Sequence, residues 1–189
     1  EGKGSKDHQK TKVFMANMPE VFDLLITKIV EATIEYLLKQ IEAGVEVVKL
    51  FDSWAGSLPG TLVNKYSLEP MKKIAENLKK KHPGIPIIVF PRGVGAHYEN
   101  FSKVGVFDCI ALDSNLPIQW AKKNVQQNIP VQGNLDPSYL ISGGPGLIEQ
   151  VLKIKEDFSS GPHIFNLGHG ITPNAQIENV ELLINTLNQ

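Results

Sequence analysis

Five times along this chain the hydrophobic period switches between strand-like and helix-like, and that alternation limits the possible folds more than any other feature. Short runs rich in β-branched and aromatic residues fall at about 45–51, 85–90, 107–112, 129–132 and 163–167. Each leads through a loop into an amphipathic stretch, near 67–81, 96–104, 117–127, 145–158 and 176–188. The strand-like runs recur about 29 residues apart, so eight of them would need roughly 235 residues, close to the ~250 of a (β/α)8 barrel.

A long helix is expected ahead of the first run. Asn17, Pro19 and Glu20 read as a helix start, with Asn17 as the cap and Glu20 reciprocating three residues on. Its apolar stripe runs through Phe22, Leu25, Ile26, Ile29, Val30, Ile34, Leu37, Leu38 and Ile41 and stops at Gly44. No strand precedes this helix, so it reads as the second half of a βα unit. The alternative for five strands is a doubly wound sheet, but no Gly-rich phosphate turn follows any strand, and chemically able residues follow every strand instead of gathering at one switch point. The expectation is therefore an α/β chain of the (β/α)8 TIM-barrel kind, an incomplete barrel of about five βα units preceded by a helix, with 1–189 as a single domain.

Composition narrows the function. The 189 residues are 42% apolar, enough for a sizeable core. Nineteen basic residues against 20 acidic ones leave a net charge of −1, so no general field draws in nucleic acid or an anionic membrane. Cys109 is the single cysteine; it excludes an internal disulfide and a thiolate zinc cage and fits a reducing cytoplasm. The apolar stretch from Val21 to Ile41 is interrupted by Asp23, Lys28, Glu31, Glu35 and Lys39, and so reads as neither a membrane span nor a secretory signal. The first residue is Glu1, which fits a processed or trimmed chain.

The strand exits carry the candidate chemistry: Phe51-Asp52-Ser53-Trp54-Ala55-Gly56, Pro91-Arg92-Gly93, Asp113-Ser114-Asn115, Gly133-Asn134-Leu135-Asp136-Pro137 and Gly168-His169-Gly170. In a parallel βα array such exits converge on one face. Ser53 could be a ligand donor, a turn cap beside Asp52 or a nucleophile, although no G-x-S-x-G elbow surrounds it. Asp52 either locks that loop or touches substrate. His169 lies between two glycines that permit close backbone approach or a positive φ, which favours a site role over a histidine satisfied by its neighbours. Arg92, the single arginine, could hold a carboxylate bidentately or pin its loop through an ion pair. Alternation places Lys49 on the strand face shared with Phe51 and Ser53, as a Schiff-base lysine or, better, one paired with an interior acid. Asn134 and Asp136 suit bracing of their loop backbone and could secondarily touch ligand. His163 is expected to be structural and Cys109 a small buried hydrophobe. His8, His82 and His97 share no metal-ligand spacing, so no metal site is expected.

Four stretches in this order resemble the uroporphyrinogen decarboxylase family: Glu1-Gly-Lys-Gly-Ser-Lys-Asp7, Leu50-Phe-Asp-Ser-Trp-Ala-Gly56, Val131-Gln-Gly-Asn-Leu-Asp-Pro137, and His163-Ile-Phe-Asn-Leu-Gly-His-Gly-Ile171 followed by Pro173. The resemblance covers nearly the whole chain and implies a (β/α)8 barrel, usually a homodimer, that without any cofactor removes carboxyl groups from the acetate arms of uroporphyrinogen to give coproporphyrinogen. It implies that Ser53 and His169 contact the substrate; Phe51, beside Ser53, and Arg92, after the second strand-like run, are taken with them as substrate-binding candidates. The family also uses arginines from an N-terminal loop, an Asp that binds the pyrrole N–H groups, and a Tyr ahead of the Glu1 stretch. These have no counterpart in this chain, so no catalytic residue is assigned and the chain alone is expected to be inactive, resembling the C-terminal five-eighths of the family.

Two rival readings follow from the same residues. Zinc-dependent, corrinoid-linked methyltransferases share the barrel but need a His-x-Cys pair and further soft ligands, and no His stands two residues before Cys109. A non-catalytic chain serving as a binding or assembly module is the second, because an open strand array leaves two edges unpaired.

Overall fold

The computed structural model describes residues 4–189, so Glu1, Gly2 and Lys3 of the Glu1–Asp7 stretch lie outside the described residues. The chain forms two compact units, one ending at Phe107 and the other beginning at Asp108.

In the first unit, α1 (Gln9–Asn17) and α2 (Pro19–Glu42) lead into β1 (Val48–Asp52). The expected long helix is present as α2, but it is not capped by Asn17. That residue ends α1, the cap position is Met18, and no side chain caps α2. Pro19 suffices as the start, since its fixed φ suits the first helical turn and the N–H it lacks has no partner there. No amphipathic pattern announces α1 in this polar, Lys-rich stretch. Its Met15 and Phe14 pack with Phe22 and Tyr66, a tertiary contact that supplies what a short helix lacks by itself. Phe22, Val30, Leu37 and Leu38 of the expected stripe are buried, whereas Leu25 and Ile29 are 45% and 51% exposed. The stripe is broader than the surface its neighbours cover.

Beyond β1 come a 3-10 turn (Ala55–Ser57), α3 (Gly60–Val63), a π-helical turn (Asn64–Leu68) and α4 (Glu69–Lys81). α4 lies against α2, burying Met71, Ile74, Ala75 and Leu78. Glu69 in its first turn and Lys79, Lys80 and Lys81 in its last suit the helix dipole. β2 (Ile87–Pro91) is buried at every position, as a parallel strand covered on both faces must be, and α5 (Tyr98–Ser102) follows. β1 and β2 pair in parallel, from Val48 opposite Ile87 to Asp52 opposite Pro91.

The second unit holds β3 (Cys109–Ala111), α6 (Ile118–Ala121), β4 (Val131–Leu135), α7 (Ser138–Ser142), α8 (Gly144–Asp157), β5 (His163–Leu167) and α9 (Ile177–Leu187). β4 pairs in parallel with β3, Val131 opposite Ile110, and with β5, Val131 opposite His163. Ile110, Val131, Leu147, Val151 and Phe158 have no exposed surface. Burial of side chains of this size stabilises a fold by about 1.5–3 kcal/mol each. Cys109 is buried among them, as expected of a small hydrophobe. Strand order follows the chain from β1 to β5. A doubly wound sheet would reverse its order about the first strand, so the α/β array stands, with five strands where a closed barrel has eight.

Candidate functional site

At the end of β1 the carboxylate of Asp52 is the anchor of a turn. It accepts a 2.7 Å hydrogen bond from the Ser67 hydroxyl and further bonds from the backbone N–H groups of Trp54 and Ala55. Burial pushes its carboxyl above the ordinary aspartate value, while these three donors pull the other way. Of the two roles open to Asp52, the geometry gives it the loop lock. Ser53, half-buried, sits on the turn so formed.

The exits of β1 and β2 are stitched together by backbone. Arg92 N–H donates to the Asp52 carbonyl at 3.1 Å, and Gly56 N–H donates to the Arg92 carbonyl at 2.9 Å. A Cβ at Gly56 would lie 2.6 Å from the Gly93 carbonyl oxygen, so only glycine permits this approach. None of the ion pairs formed among the described residues takes up the Arg92 guanidinium. The loop is pinned by main-chain bonds and not by an ion pair of Arg92 among the described residues.

Around this turn stand exposed aromatic faces. Phe51 is 63% exposed and meets Phe90 edge-on at 6.0 Å; the Lys49 ammonium lies 4.8 Å from the Phe51 ring centroid and 5.4 Å from that of Phe90. Lys49 therefore shares a face with Phe51, as alternation required, and has two aromatic rings beneath its charge. Trp54 is likewise exposed, with the His8 ring 5.0 Å away.

In the second unit the exits of β3, β4 and β5 are drawn together. Asn134, buried, donates from Nδ2 to the carbonyls of Asp113 and Leu116 at 3.0 and 3.2 Å, and Asp113 Oδ1 accepts the Asn115 N–H. Asp136 accepts the Ser138 N–H at 2.8 Å; the Ser138 hydroxyl and then this N–H hold its carboxyl below the ordinary value. Asp136 braces its own loop, as its turn sequence suggested, whereas Asn134 ties the β4 exit to the loop after β3. Gly168 N–H donates to the Leu135 carbonyl at 2.7 Å, and the same glycine is pressed against the Ser114 backbone, where a Cβ would collide. Of the two reasons for a glycine before His169, close approach is the one realised. His169 itself stands exposed at the end of β5.

His163, at the start of β5, has its Nε2 2.6 Å from the Gly133 carbonyl and its ring stacked on Phe158 at 4.6 Å. A carbonyl only accepts, so Nε2 carries the proton. Burial holds this imidazole below the ordinary histidine value, with the Gly133 bond opposing. It is structural, as expected. Among the described residues no three His, Cys, Asp or Glu side chains are grouped as a metal ion requires, and no helix is long and apolar enough to cross a membrane. Sequence reading missed Ser67. It lies fifteen residues from Asp52 on a helical turn, and no local signal connects the two.

The model of the uroporphyrinogen decarboxylase (URO-D) family matches residues 1–189. The chain belongs to the uroporphyrinogen decarboxylase family. It is 51% identical over 186 residues to the uroporphyrinogen decarboxylase of Ruegeria pomeroyi, covering 98% of this chain and 54% of the relative. Those of Cereibacter sphaeroides and Paracoccus denitrificans are 51% and 50% identical over 187 and 186 residues, with the same two coverages. The chain thus spans about half the length of the curated relatives it matches. Membership of the URO-D family agrees with the (β/α)8 expectation and with the five strands found here.

Proposed function

We propose that this chain carries one part of a uroporphyrinogen decarboxylase site, the part that holds the substrate's carboxylate arms, within a barrel domain to which all of 1–189 belongs. Ser53, Phe51 and Arg92 serve it from the exits of β1 and β2, and His169 from the exit of β5. The observation that carries the reading is the family match over the whole chain, together with Ser53 and His169 each standing at a strand end. Ser53 supplies a neutral donor and His169 a donor that becomes charge-assisted when protonated. Arg92, outside every ion pair of the described residues, supplies a fixed cation, and Phe51 an exposed face for a flat ring.

The chemistry explains why such groups hold and do not themselves convert. Loss of carbon dioxide from a pyrrole acetate leaves an electron pair, for which a ring protonated at the adjacent carbon is the sink. At each arm a carboxylate and a proton give a methyl group and carbon dioxide. The reaction therefore needs an acid and an anion beside the developing cation. Neither role falls on Ser53, Phe51, Arg92 or His169. The enzyme we infer is a cofactor-free carboxy-lyase of porphyrin and haem biosynthesis, cytoplasmic and homodimeric, acting on uroporphyrinogen to give coproporphyrinogen.

The test is a chimera in which this chain replaces the matching 186 residues of the Ruegeria pomeroyi relative. Formation of coproporphyrinogen, weakened by Ser53→Ala and His169→Asn, is the expected result. A folded chimera that binds uroporphyrinogen but never turns it over would overturn the reading.

A further inference from the structure

The turn that carries Ser53 is held from outside the strand exits by a helical residue. The helix leading from Gly60 to Lys81 is interrupted at Asn64–Leu68 by a π-helical turn. Such a turn fits an extra residue into the helix and changes which side chains face each neighbour, and π-turns occur often at functional sites. Here it sends consecutive residues to two different elements. Lys65 Nζ and Tyr66 Oη both donate to Asp23 of α2, each at 2.9 Å, and Ser67 Oγ donates to Asp52 of β1 at 2.7 Å. Ser67 is 1% exposed, so its hydroxyl has no bulk water to fall back on. The other acceptor capacity of Asp52 goes to the backbone N–H groups of Trp54 and Ala55, the two residues after Ser53.

We propose that Ser67 is a positioning residue, which through Asp52 fixes the turn that presents Ser53 to the substrate. The inference rests on the proposed role of Ser53 for its functional meaning and on the turn's own geometry for its physical content. A hydroxyl donating to a half-buried carboxylate fixes where that carboxylate sits, and the carboxylate fixes the two N–H groups that close the turn. Without Ser67 the carboxylate is held by the two N–H groups alone, and the turn it anchors loosens.

The experiment uses this chain with Ser67→Ala, and a second variant, Asp52→Ala, with the double substitution to complete a cycle. Three quantities are read: hydrogen exchange at the Trp54 and Ala55 amides against those of β2, the 13C carboxyl titration of Asp52, and affinity for uroporphyrin. Ser67→Ala should speed exchange at the two amides by about tenfold, the usual effect of losing a hydrogen bond to a charged group. It should also raise the Asp52 midpoint, because a donor to the charged form is gone, and weaken uroporphyrin binding severalfold. In the Asp52→Ala background it should add nothing to either effect. Loss of thermal stability with unchanged local exchange and an unchanged Asp52 midpoint would mark Ser67 as ordinary core and overturn the proposal. If the unsubstituted chain bound no uroporphyrin at all, the tetrapyrrole reading would fail, while exchange and titration would still decide whether Ser67 governs the turn.

Discussion

The imidazole of His163 donates from Nε2 to the carbonyl of Gly133 across 2.6 Å, joining the first residue of β5 to the middle of β4 while its ring lies on Phe158. Burial favours the neutral ring in the folded chain. The unfolded chain, with an ordinary histidine, takes up a proton first as pH falls. The stability held by the neutral ring is therefore complete above about pH 6.5 and is lost as pH drops through that value toward the lower folded one. Urea unfolding between about pH 7.5 and 5 should show this decline. His163→Gln keeps a donor but removes the titration, and its profile should be flatter over that range. Parallel profiles for the two proteins would dissociate His163 from the effect.

The two glycines beside His169 should respond differently to the same substitution. Gly168→Ala drives a methyl group into the Ser114 backbone, whereas a Cβ at Gly170 meets nothing within 4 Å. We expect Gly168→Ala to destabilise the chain by about 1–3 kcal/mol, as overpacking against backbone does, and Gly170→Ala to change stability by less than ~0.5 kcal/mol. Denaturant midpoints of the two variants check this. Equal sensitivity would mean that the β5 exit is not seated on Ser114.

His169 is proposed to hold a carboxylate and not to be the proton donor of the reaction. In the Ruegeria pomeroyi chimera, His169→Asn keeps a donor of similar reach, so kcat/KM should fall roughly tenfold to a hundredfold, at ~1.4 kcal/mol per decade. Partly decarboxylated intermediates should appear among the products. Ser53→Ala should act in the same direction but more weakly, since a hydroxyl is an uncharged donor. Loss of turnover by several orders of magnitude, with product binding intact, would make His169 the general acid.

By itself the 189-residue chain should not decarboxylate uroporphyrinogen measurably. Its curated relatives are nearly twice as long, and none of the groups assigned here provides the acid or the anion that the chemistry needs. Anaerobic turnover assays on protein of verified intact mass decide this. Activity from a homogeneous sample would force a catalytic role onto Ser53, Arg92 or His169.

Much of the architecture was already written in local pattern. β5 occupies 163–167 as the pattern indicated, and α4, α8 and α9 begin and end within two residues of their amphipathic stretches. Periodicity and Pro and Gly placement act over a few residues, so a linear reading captures them. The brace at Asp136 was legible for the same reason, since it accepts an N–H two residues on in its own turn, whereas Asn134 bonds to carbonyls 18 and 21 residues away, partners that no local pattern names. Where pattern and structure part, a distant partner decides. Val45 and Val47 have strand-like composition but are exposed, because the pairing with β2 begins only at Val48.

From the sequence alone came the βα order, the exits and the residues able to bind a carboxylate, all of which depend on neighbours along the chain. Tertiary structure decided which of those residues serve as braces. Asp52 became a lock because Ser67 was brought to it across fifteen residues of sequence. His163 is held because pairing of β5 with β4, Val131 opposite His163, lets its ring reach the Gly133 carbonyl, and the Arg92 loop is closed by backbone bonds to Asp52 and Gly56. Each outcome turns on strand register and helix packing, which arise from burial summed over a whole unit and leave no mark in any short stretch of sequence.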